Sequence, residues 1–267
     1  MPKHLNQRWA AINRNKPLKQ AFNFQLSQPS GQLSAFVQGI WSASVLQSDS
    51  VMRPLYSDAG SGIIFNLVGD VKIGNEALPE GVIMLPINKQ AENIVLASGA
   101  QLAGIRFHPA IGYGVLGRHY DKPTLLLPEQ DQLYSLYQIY SELRMQKDND
   151  RQIEALYLWA ETNLDFTNVI PNSLEKALEC IEQDETLGQL SESIELSQRQ
   201  IERLFKLRLG MTPKHYQRIL RIKKAICFLR LHKNVNLADV SQQFGFSDQA
   251  HMTREFRTIA CITPGQV

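Results

Sequence analysis

A repeated pattern near the carboxyl end constrains the fold of this chain more than any other feature. In the first copy, Ser197 can cap a helix, and that helix is followed by Gly210 and a Thr-Pro pair that ends at Pro213. The second copy runs from Ser247 to Pro264, about 50 residues further along the chain. A repeat at a fixed separation is typical of a duplicated supersecondary unit. The sequence therefore predicts two copies of one small helical unit.

The first copy has the pattern of a helix-turn-helix unit, over residues 187–209. A short helix begins near Leu187, and a tight turn leads to the Ser197 cap and a second helix from Gln198 to Leu209. Gly210 is expected to close this helix in the left-handed conformation, and Pro213 to open the next one. A short helix, a turn and a second helix with a basic outer face is an arrangement that fits a DNA major groove.

A long helix predicted for residues 213–232 links the two copies. The second helix-turn-helix unit is predicted for residues 237–259, with its turn at 244–246. Ser247 is the expected cap, and the helix that it opens is expected to run from Asp248 to Ile259.

The charge of the chain is unevenly distributed. The whole chain has a formal net charge of +2, but residues 197–267 hold 13 Lys and Arg against 4 Asp and Glu. The rest of the chain is therefore acidic. A basic end on an acidic body is typical of a protein that binds a polyanion.

The carboxyl-terminal residues, from about 174 to 267, resemble the DNA-binding domain of the AraC/XylS family of bacterial transcription regulators. The resemblance lies in residues 196–197, 203–206, 210–213, Tyr216, Ala225, 244–249, His251, 253–254, 256–257 and 263–266. It implies two helix-turn-helix units, each placing one helix in successive major grooves on one side of the duplex. Cys261 departs from the family pattern, because a glycine is expected after the second recognition helix.

The outward faces of the two recognition helices supply the candidate DNA contacts. Arginine can bond guanine in a bidentate way, glutamate can accept from cytosine, glutamine can read adenine, and alanine can contact a thymine methyl group. The candidate base-reading residues are Arg199, Glu202, Arg203, Gln249, Ala250 and Thr253. The candidate phosphate contacts are Lys206, Arg218, Arg221, Arg254 and Arg257.

The amino-terminal part has a different character. Residues 1–30 are basic and polar and are expected to form an arm, with a short helix possible near Leu5 to Ile12. Residues 31–130 contain short apolar runs separated by glycines and prolines, which favours an antiparallel barrel or sandwich. The predicted fold class is therefore α+β, with a β-rich amino-terminal domain and helices followed by an all-α domain, 173–267.

Between these domains, residues 131–168 are predicted to form two amphipathic helices. Leu133, Leu136, Tyr137 and Tyr140 have helical spacing in the first, and Ile153, Leu156, Tyr157 and Ala160 have it in the second. Such helices pack either on their own sheet or on a partner subunit. A homodimer is therefore one of two readings of this segment.

The β-rich part, over about 30–130, is similar to an amino-terminal domain found in many AraC-type regulators. That resemblance implies that it senses a small effector or a partner. The candidate effector-pocket residues are Trp41, Phe65, Arg106 and Phe107, although packing in the core is the ordinary role of such aromatic residues. Nothing in the sequence names the effector.

Other functional classes are disfavoured by the sequence. A DNA-repair alkyltransferase fused to this type of DNA-binding domain needs an activated cysteine, and residues 1–179 contain none. Cys180, Cys227 and Cys261 form no CxxC pair, so we expect reduced thiols, no bound metal and no cofactor. No GxSxG or HExxH motif is present.

The expected protein is therefore a non-enzymatic regulator in the bacterial cytoplasm, without a membrane span. Its expected partners are double-stranded DNA and a small-molecule effector, with RNA polymerase as a further partner if it is an activator. A regulator controlled by a protein partner, without a small ligand, is the alternative.

Overall fold

A computed structural model describes residues 22–46, 50–167, 169–183, 194, 196–232 and 234–267. Two antiparallel sheets and the helices packed on them form the first part of the structure, which we call the β domain. A second group of helices, from residue 172 onward, forms the helical domain. The predicted α+β fold class is confirmed.

The larger sheet has six strands in the order β1-β2-β9-β4-β7-β10. Its strands are β1 (Phe22–Ser27), β2 (Val37–Val45), β4 (Gly62–Val68), β7 (Gly81–Leu85), β9 (Gln101–Phe107) and β10 (Thr124–Leu126). The smaller sheet has the order β3-β8-β5-β6. Its strands are β3 (Val51–Leu55), β5 (Val71–Ile73), β6 (Glu76–Leu78) and β8 (Glu92–Leu96). This two-sheet arrangement agrees with the predicted barrel or sandwich.

The β4 strand is buried on both faces, and its sequence explains why. Ile64 faces the apolar cluster between the two sheets, whereas Ile63, Phe65 and Leu67 belong to the cluster on the opposite face. Successive side chains of a strand point to opposite sides, so a strand covered on both faces needs apolar residues at nearly every position. The six-stranded sheet is thus the middle layer of the β domain.

Three helices cover the outer face of that sheet. They are α1 (Ile111–Leu116), α2 (Leu136–Met145) and α3 (Asn149–Asn163). Leu156 is fully buried, and the Trp159 ring meets Phe65 edge-on at 6.4 Å between centroids. The inner faces of the predicted 131–168 helices therefore pack on their own sheet. Dimerisation through their outer faces stays a prediction.

The helical domain contains α4 (Asn172–Glu182), α5 (Gln198–Leu209), α6 (Pro213–Leu231), α7 (Leu237–Gln243) and α8 (Gln249–Ile259). A buried cluster joins these helices around α6. Its largest buried side chains are the aromatic residues Phe205, Tyr216 and Phe256, which are completely inaccessible to solvent. The long linking helix is thus the central support of both repeated units.

Four sequence predictions are corrected or lie outside the described residues. Phe22–Ser27 is a strand paired with β2, so the arm does not extend to residue 30. The cause is the alternation of Phe22, Phe24 and Leu26 with polar residues, which suits an edge strand. The α2 helix begins at Leu136 and not at Asp131. The short helix predicted from Leu187, like the one predicted near Leu5 to Ile12, lies outside the described residues.

Candidate nucleic-acid interface

The α5 helix has the limits and the caps that the sequence predicts. Ser197 and Gln200 form a capping box, in which the Gln200 side chain accepts from the Ser197 backbone N–H at 2.9 Å. Gly210 ends the helix with a φ of 65°, in the left-handed region. Ile201, Phe205 and Leu209 are buried, and they fix which side of α5 faces outward.

The outward side of α5 carries the predicted DNA contacts. Arg199, Glu202, Arg203 and Lys206 are all exposed. Glu202 accepts a hydrogen bond from Gln198, one turn earlier, at 3.3 Å. The predicted base-reading and phosphate-contacting residues of the first unit therefore share one open surface.

The α8 helix begins one residue later than predicted, and its cap is Asp248 instead of Ser247. The Asp248 carboxylate accepts from the His251 backbone N–H at 2.6 Å, and this bond lowers the Asp248 pKa from its usual value. The Ser247 backbone N–H instead donates to His251 Nδ1 at 3.2 Å. Both residue types cap helices well, and the position of the His251 ring settles which of them does so here.

The two recognition helices, α5 and α8, are equivalent position by position. Their caps, Ser197 and Asp248, are 51 positions apart, and so are the buried pair Ile201 and Met252 and the fully buried pair Phe205 and Phe256. The same shift relates the exposed residues Arg203 and Lys206 to Arg254 and Arg257. The duplication thus extends to the cap, the core contacts and the outward basic residues.

The outward side of α8 is less charged than that of α5. Gln249, Ala250, Arg254 and Arg257 are exposed. Thr253 is half-buried, and its hydroxyl donates to the Gln249 carbonyl at 2.9 Å. The second unit therefore presents short polar and apolar side chains in its first turns and arginines further along.

Two of the predicted phosphate contacts on α6 make contacts within the helical domain. Arg218 donates to both carboxylate oxygens of Glu255 on α8, at 2.7 and 3.0 Å. The Arg221 guanidinium lies over the Phe246 ring, 5.5 Å from its centroid, which is within reach of a cation–π contact. Phosphate binding by these two arginines stays a prediction, whereas their role in holding the second unit against α6 is visible.

Comparisons with known proteins agree with this geometry. A family model described as a helix-turn-helix domain matches residues 190–267. The transcriptional regulator CdhR of Pseudomonas aeruginosa is 33% identical over 81 residues, which cover 30% of this chain and 24% of CdhR. The transcriptional activator RhaS of Escherichia coli is 37% identical over 68 residues, which cover 26% of this chain and 24% of RhaS. Residues 190–267 form an AraC-type helix-turn-helix domain.

The comparisons reach less far over the rest of the chain. The chain spans about a quarter of the length of the curated relatives that it matches. The structure of ToxT from Vibrio cholerae is similar over 92% of this chain and 97% of that chain, at 9% identity and a TM-score of 0.46. At that score the similarity carries no argument about function.

The four candidate effector residues do not meet in one pocket. Phe65 and Phe107 are fully buried in the cluster beneath the α1–α3 helices, whereas Trp41 packs in the cluster between the sheets. Trp41 and Arg106 share the other face of the six-stranded sheet, since Trp41 pairs with Gly104 on β9. The four residues are therefore divided between the two faces of the sheet and do not line one site.

Arg106 is paired with a carboxylate that the sequence analysis missed. Its Nε donates to Asp58 Oδ2 at 3.1 Å, and its terminal nitrogen donates to the other carboxylate oxygen. Burial opposes ionisation of Asp58, but Arg106, Lys223 and the Gly60 backbone N–H together outweigh it, and the Asp58 pKa is lowered from its usual value. The two residues are 48 positions apart in the sequence, so no local sequence pattern predicts the pair.

A shallow pocket of about 390 Å³ lies elsewhere in the β domain, close to the AraC-type domain. It is lined by Arg118, His119, Tyr120, Thr124, Leu125, Leu126, Leu127 and Gln130. None of the four predicted effector residues belongs to it. His119 also bonds the AraC-type domain, so this pocket reaches the boundary between the domains.

Proposed function

We propose that this protein is a sequence-specific DNA-binding transcription regulator of the bacterial cytoplasm. The observation that carries the proposal is that α5 and α8 match each other position by position. Their caps lie at equivalent positions, and both helices present exposed cationic side chains. Two such helices on one supporting helix suit two successive major grooves. The matched relatives are named as transcriptional regulators and not as enzymes. Across the described ranges, no helix is both long and apolar enough to span a bilayer.

In this proposal the exposed residues divide into two roles. Base edges are read from α5 by Arg199, Glu202 and Arg203, and from α8 by Gln249, Ala250 and Thr253. Lys206, Arg254 and Arg257 contact phosphates, joined by Arg218 and Arg221 where their internal contacts leave a guanidinium N–H available.

The β domain is proposed to respond to a small-molecule effector. The support is the pocket at the domain boundary, which combines the cationic Arg118 with several leucines. A mixed lining of this kind suits a ligand with an apolar body and a polar or anionic group. Control by a protein partner is the alternative, and it predicts no saturable binding of small ligands. A homodimer formed through α2 and α3, and contact with RNA polymerase for an activator, complete the proposal.

The experiment is a selection of bound sequences from random duplex DNA, followed by affinity measurements on the selected site and on a scrambled duplex. We expect Arg203→Ala to weaken binding to the selected site by about 1–3 kcal/mol while changing scrambled binding much less. Lys206→Ala is the matched control, since a lost phosphate contact weakens both duplexes alike and reduces the salt dependence. Failure of the wild-type protein to enrich any sequence would refute the proposal.

A further inference from the structure

The β domain bonds the carboxyl-terminal ends of both recognition helices. His119 Nε2 lies 2.5 Å from the Leu207 carbonyl in the last turn of α5. The Ala91 backbone N–H donates to the carbonyl of Ile259, the last residue of α8, at 2.7 Å. Carbonyls in the last turn of a helix have no N–H of that helix to accept from. The β domain therefore supplies donors that each helix needs at its end.

Further contacts fix the same parts of the AraC-type domain. His215 Nε2, in the first turn of α6, lies 3.0 Å from the Lys89 carbonyl, in the loop that carries Ala91. Arg208 on α5 donates to the Val169 carbonyl at 3.2 Å and lies over the Tyr113 ring at 4.9 Å. Both histidines face carbonyl oxygens, which only accept, so Nε2 carries the proton in each ring. Three helices are thus bonded to the β domain by directional contacts.

The contacts leave the DNA-reading surface open. The contacts with α5 and α8 lie at the carboxyl-terminal ends of these helices, whereas Arg199, Gln249 and Ala250 are exposed in the first turns. In helix-turn-helix proteins it is the amino-terminal part of the recognition helix that meets the base edges. The β domain can therefore hold both helices without covering the residues that are proposed to read DNA.

The same boundary holds strained backbone. Ala59 and Ala110 have φ values of 59° and 67°, and both are buried in the apolar cluster of the helical domain. Cys261, which follows α8 and lies 3.4 Å from the Ala91 carbonyl, has a φ of 57°. A left-handed conformation is unfavourable for residues other than glycine and persists only where the surroundings impose it. The packing between the two domains surrounds Ala59 and Ala110, whereas Cys261 lies in the turn that ends α8 and contacts the loop of the β domain.

From these contacts we infer that the β domain is a positioning element for DNA recognition. It sets the separation and relative angle of α5 and α8 through His119 and through the loop that contains Lys89 and Ala91. His119 and His215 are positioning residues, because they act on the recognition helices and not on DNA. The inference rests on the proposed function and adds to it the determinant of the spacing between the two DNA segments.

The test compares DNA selections by the wild-type chain and two double variants. One variant is His119→Ala with His215→Ala, which removes both side-chain donors. The other is His119→Gln with His215→Gln, in which the glutamine amide places an N–H near the position of Nε2. Selections from random duplex DNA report the sequence of each bound segment and the number of base pairs between the segments.

We expect the alanine pair to accept a wider range of spacings and to bind the wild-type site about 5-fold to 30-fold more weakly, the equivalent of one or two hydrogen bonds. The glutamine pair should keep the wild-type spacing. The sequences of the individual segments should not change in either variant, since the base-reading residues are intact. A role in folding alone would lower the thermal unfolding temperature but would not change the spacing.

Two results would overturn the inference while leaving the proposed function in place. One is a wild-type spacing preference in the alanine pair, and the other is an equal loss in the alanine and glutamine pairs. If the wild-type protein itself enriches no sequence, the proposed function fails, and this inference fails with it.

Discussion

At the scale of single residues, Cys261 can be compared directly with Gly210, which holds the equivalent position in the first unit. Gly210 ends the first recognition helix with a φ of 65°, and Cys261 occupies the equivalent place after the second with a φ of 57°. The backbone turns in the same way at both positions, but only one of them holds the residue that suits this turn. The sequence departure from the family pattern is therefore a local strain in the structure.

Replacing Cys261 with glycine should stabilise the protein. The gain is the strain of a left-handed non-glycine residue, about 1–2 kcal/mol, less the greater chain entropy of glycine in the unfolded state, about 0.5–1 kcal/mol. We expect a net rise of about 0.5–1 kcal/mol in the free energy of unfolding, measured in urea. Gly210→Ala is the mirror control and should destabilise, because nothing lies within 4 Å of an added Cβ and only the backbone conformation is opposed. A Cys261→Gly protein no more stable than wild type would contradict this account.

At the scale of elements, the two recognition helices share the same apolar cluster around α6 but differ at one equivalent position. Position 204 of α5 holds a leucine, whereas the equivalent position of α8 holds Glu255, which forms a bidentate ion pair with Arg218. The Glu255 side chain is 14% exposed and that of Arg218 is 30% exposed. Burial opposes ionisation of Glu255, but the bonds from Arg218 lower its pKa below the usual value. The second unit thus has a charged contact at a position where the first unit has a leucine.

Glu255→Gln should weaken the second unit selectively. The substitution keeps the shape of the side chain but leaves the half-buried Arg218 without a counter-charge, which costs about 1–2 kcal/mol of unfolding free energy. Hydrogen exchange should quicken in α7 and α8 and stay unchanged in α5. A double-mutant cycle with Arg218→Met supplies the control, since the coupling energy vanishes once either partner is absent. Additive effects in that cycle would show that the pair contributes no net stability.

Local pattern was sufficient to predict the parts of the structure that local chemistry determines. The limits of α5, its Ser197 cap, the Gly210 turn and the Pro213 start all follow from residues within a few positions of each other. The exposed faces of the recognition helices follow from the same periodicity. The cap of α8 does not follow from local pattern, because Ser247 and Asp248 are both good caps; in the structure Asp248 bonds the His251 backbone N–H, and the Ser247 backbone N–H donates to the His251 ring.

Contacts between distant positions could not be predicted in this way. The Arg106–Asp58 and Arg218–Glu255 pairs join residues 48 and 37 positions apart, and His119 meets a carbonyl 88 positions away. Each depends on how whole elements pack, and a single sequence carries no local record of that packing. The split of the effector candidates between two faces of the sheet has the same origin, since it requires the register of β2, β4 and β9.

At the scale of the whole molecule, His108 couples global stability to pH. It is almost fully buried beside the Ser34 carbonyl, and burial lowers its pKa from 6.5 to about 4, with Lys223 of α6 adding to the effect and Asp58 opposing it. The unfolded chain therefore binds a proton below pH 6.5 that the folded protein does not bind until about pH 4. The stability that depends on neutral His108 is fully present above pH 6.5 and is lost as the pH drops toward 4.

The loss over this interval should be about 3 kcal/mol, given about 1.4 kcal/mol for each pH unit. His108→Gln removes the titrating group, and its amide N–H can still donate to Ser34, so its stability should vary much less over the same interval. Urea unfolding of both proteins at pH 7, 5.5 and 4.5 gives the difference. Burial raises the Glu182 pKa, which acts in the opposite direction, but Glu182 is common to both proteins and cancels. Parallel pH profiles for the two proteins would mean that the pKa of His108 in the folded protein is not lowered from 6.5, which would contradict this account.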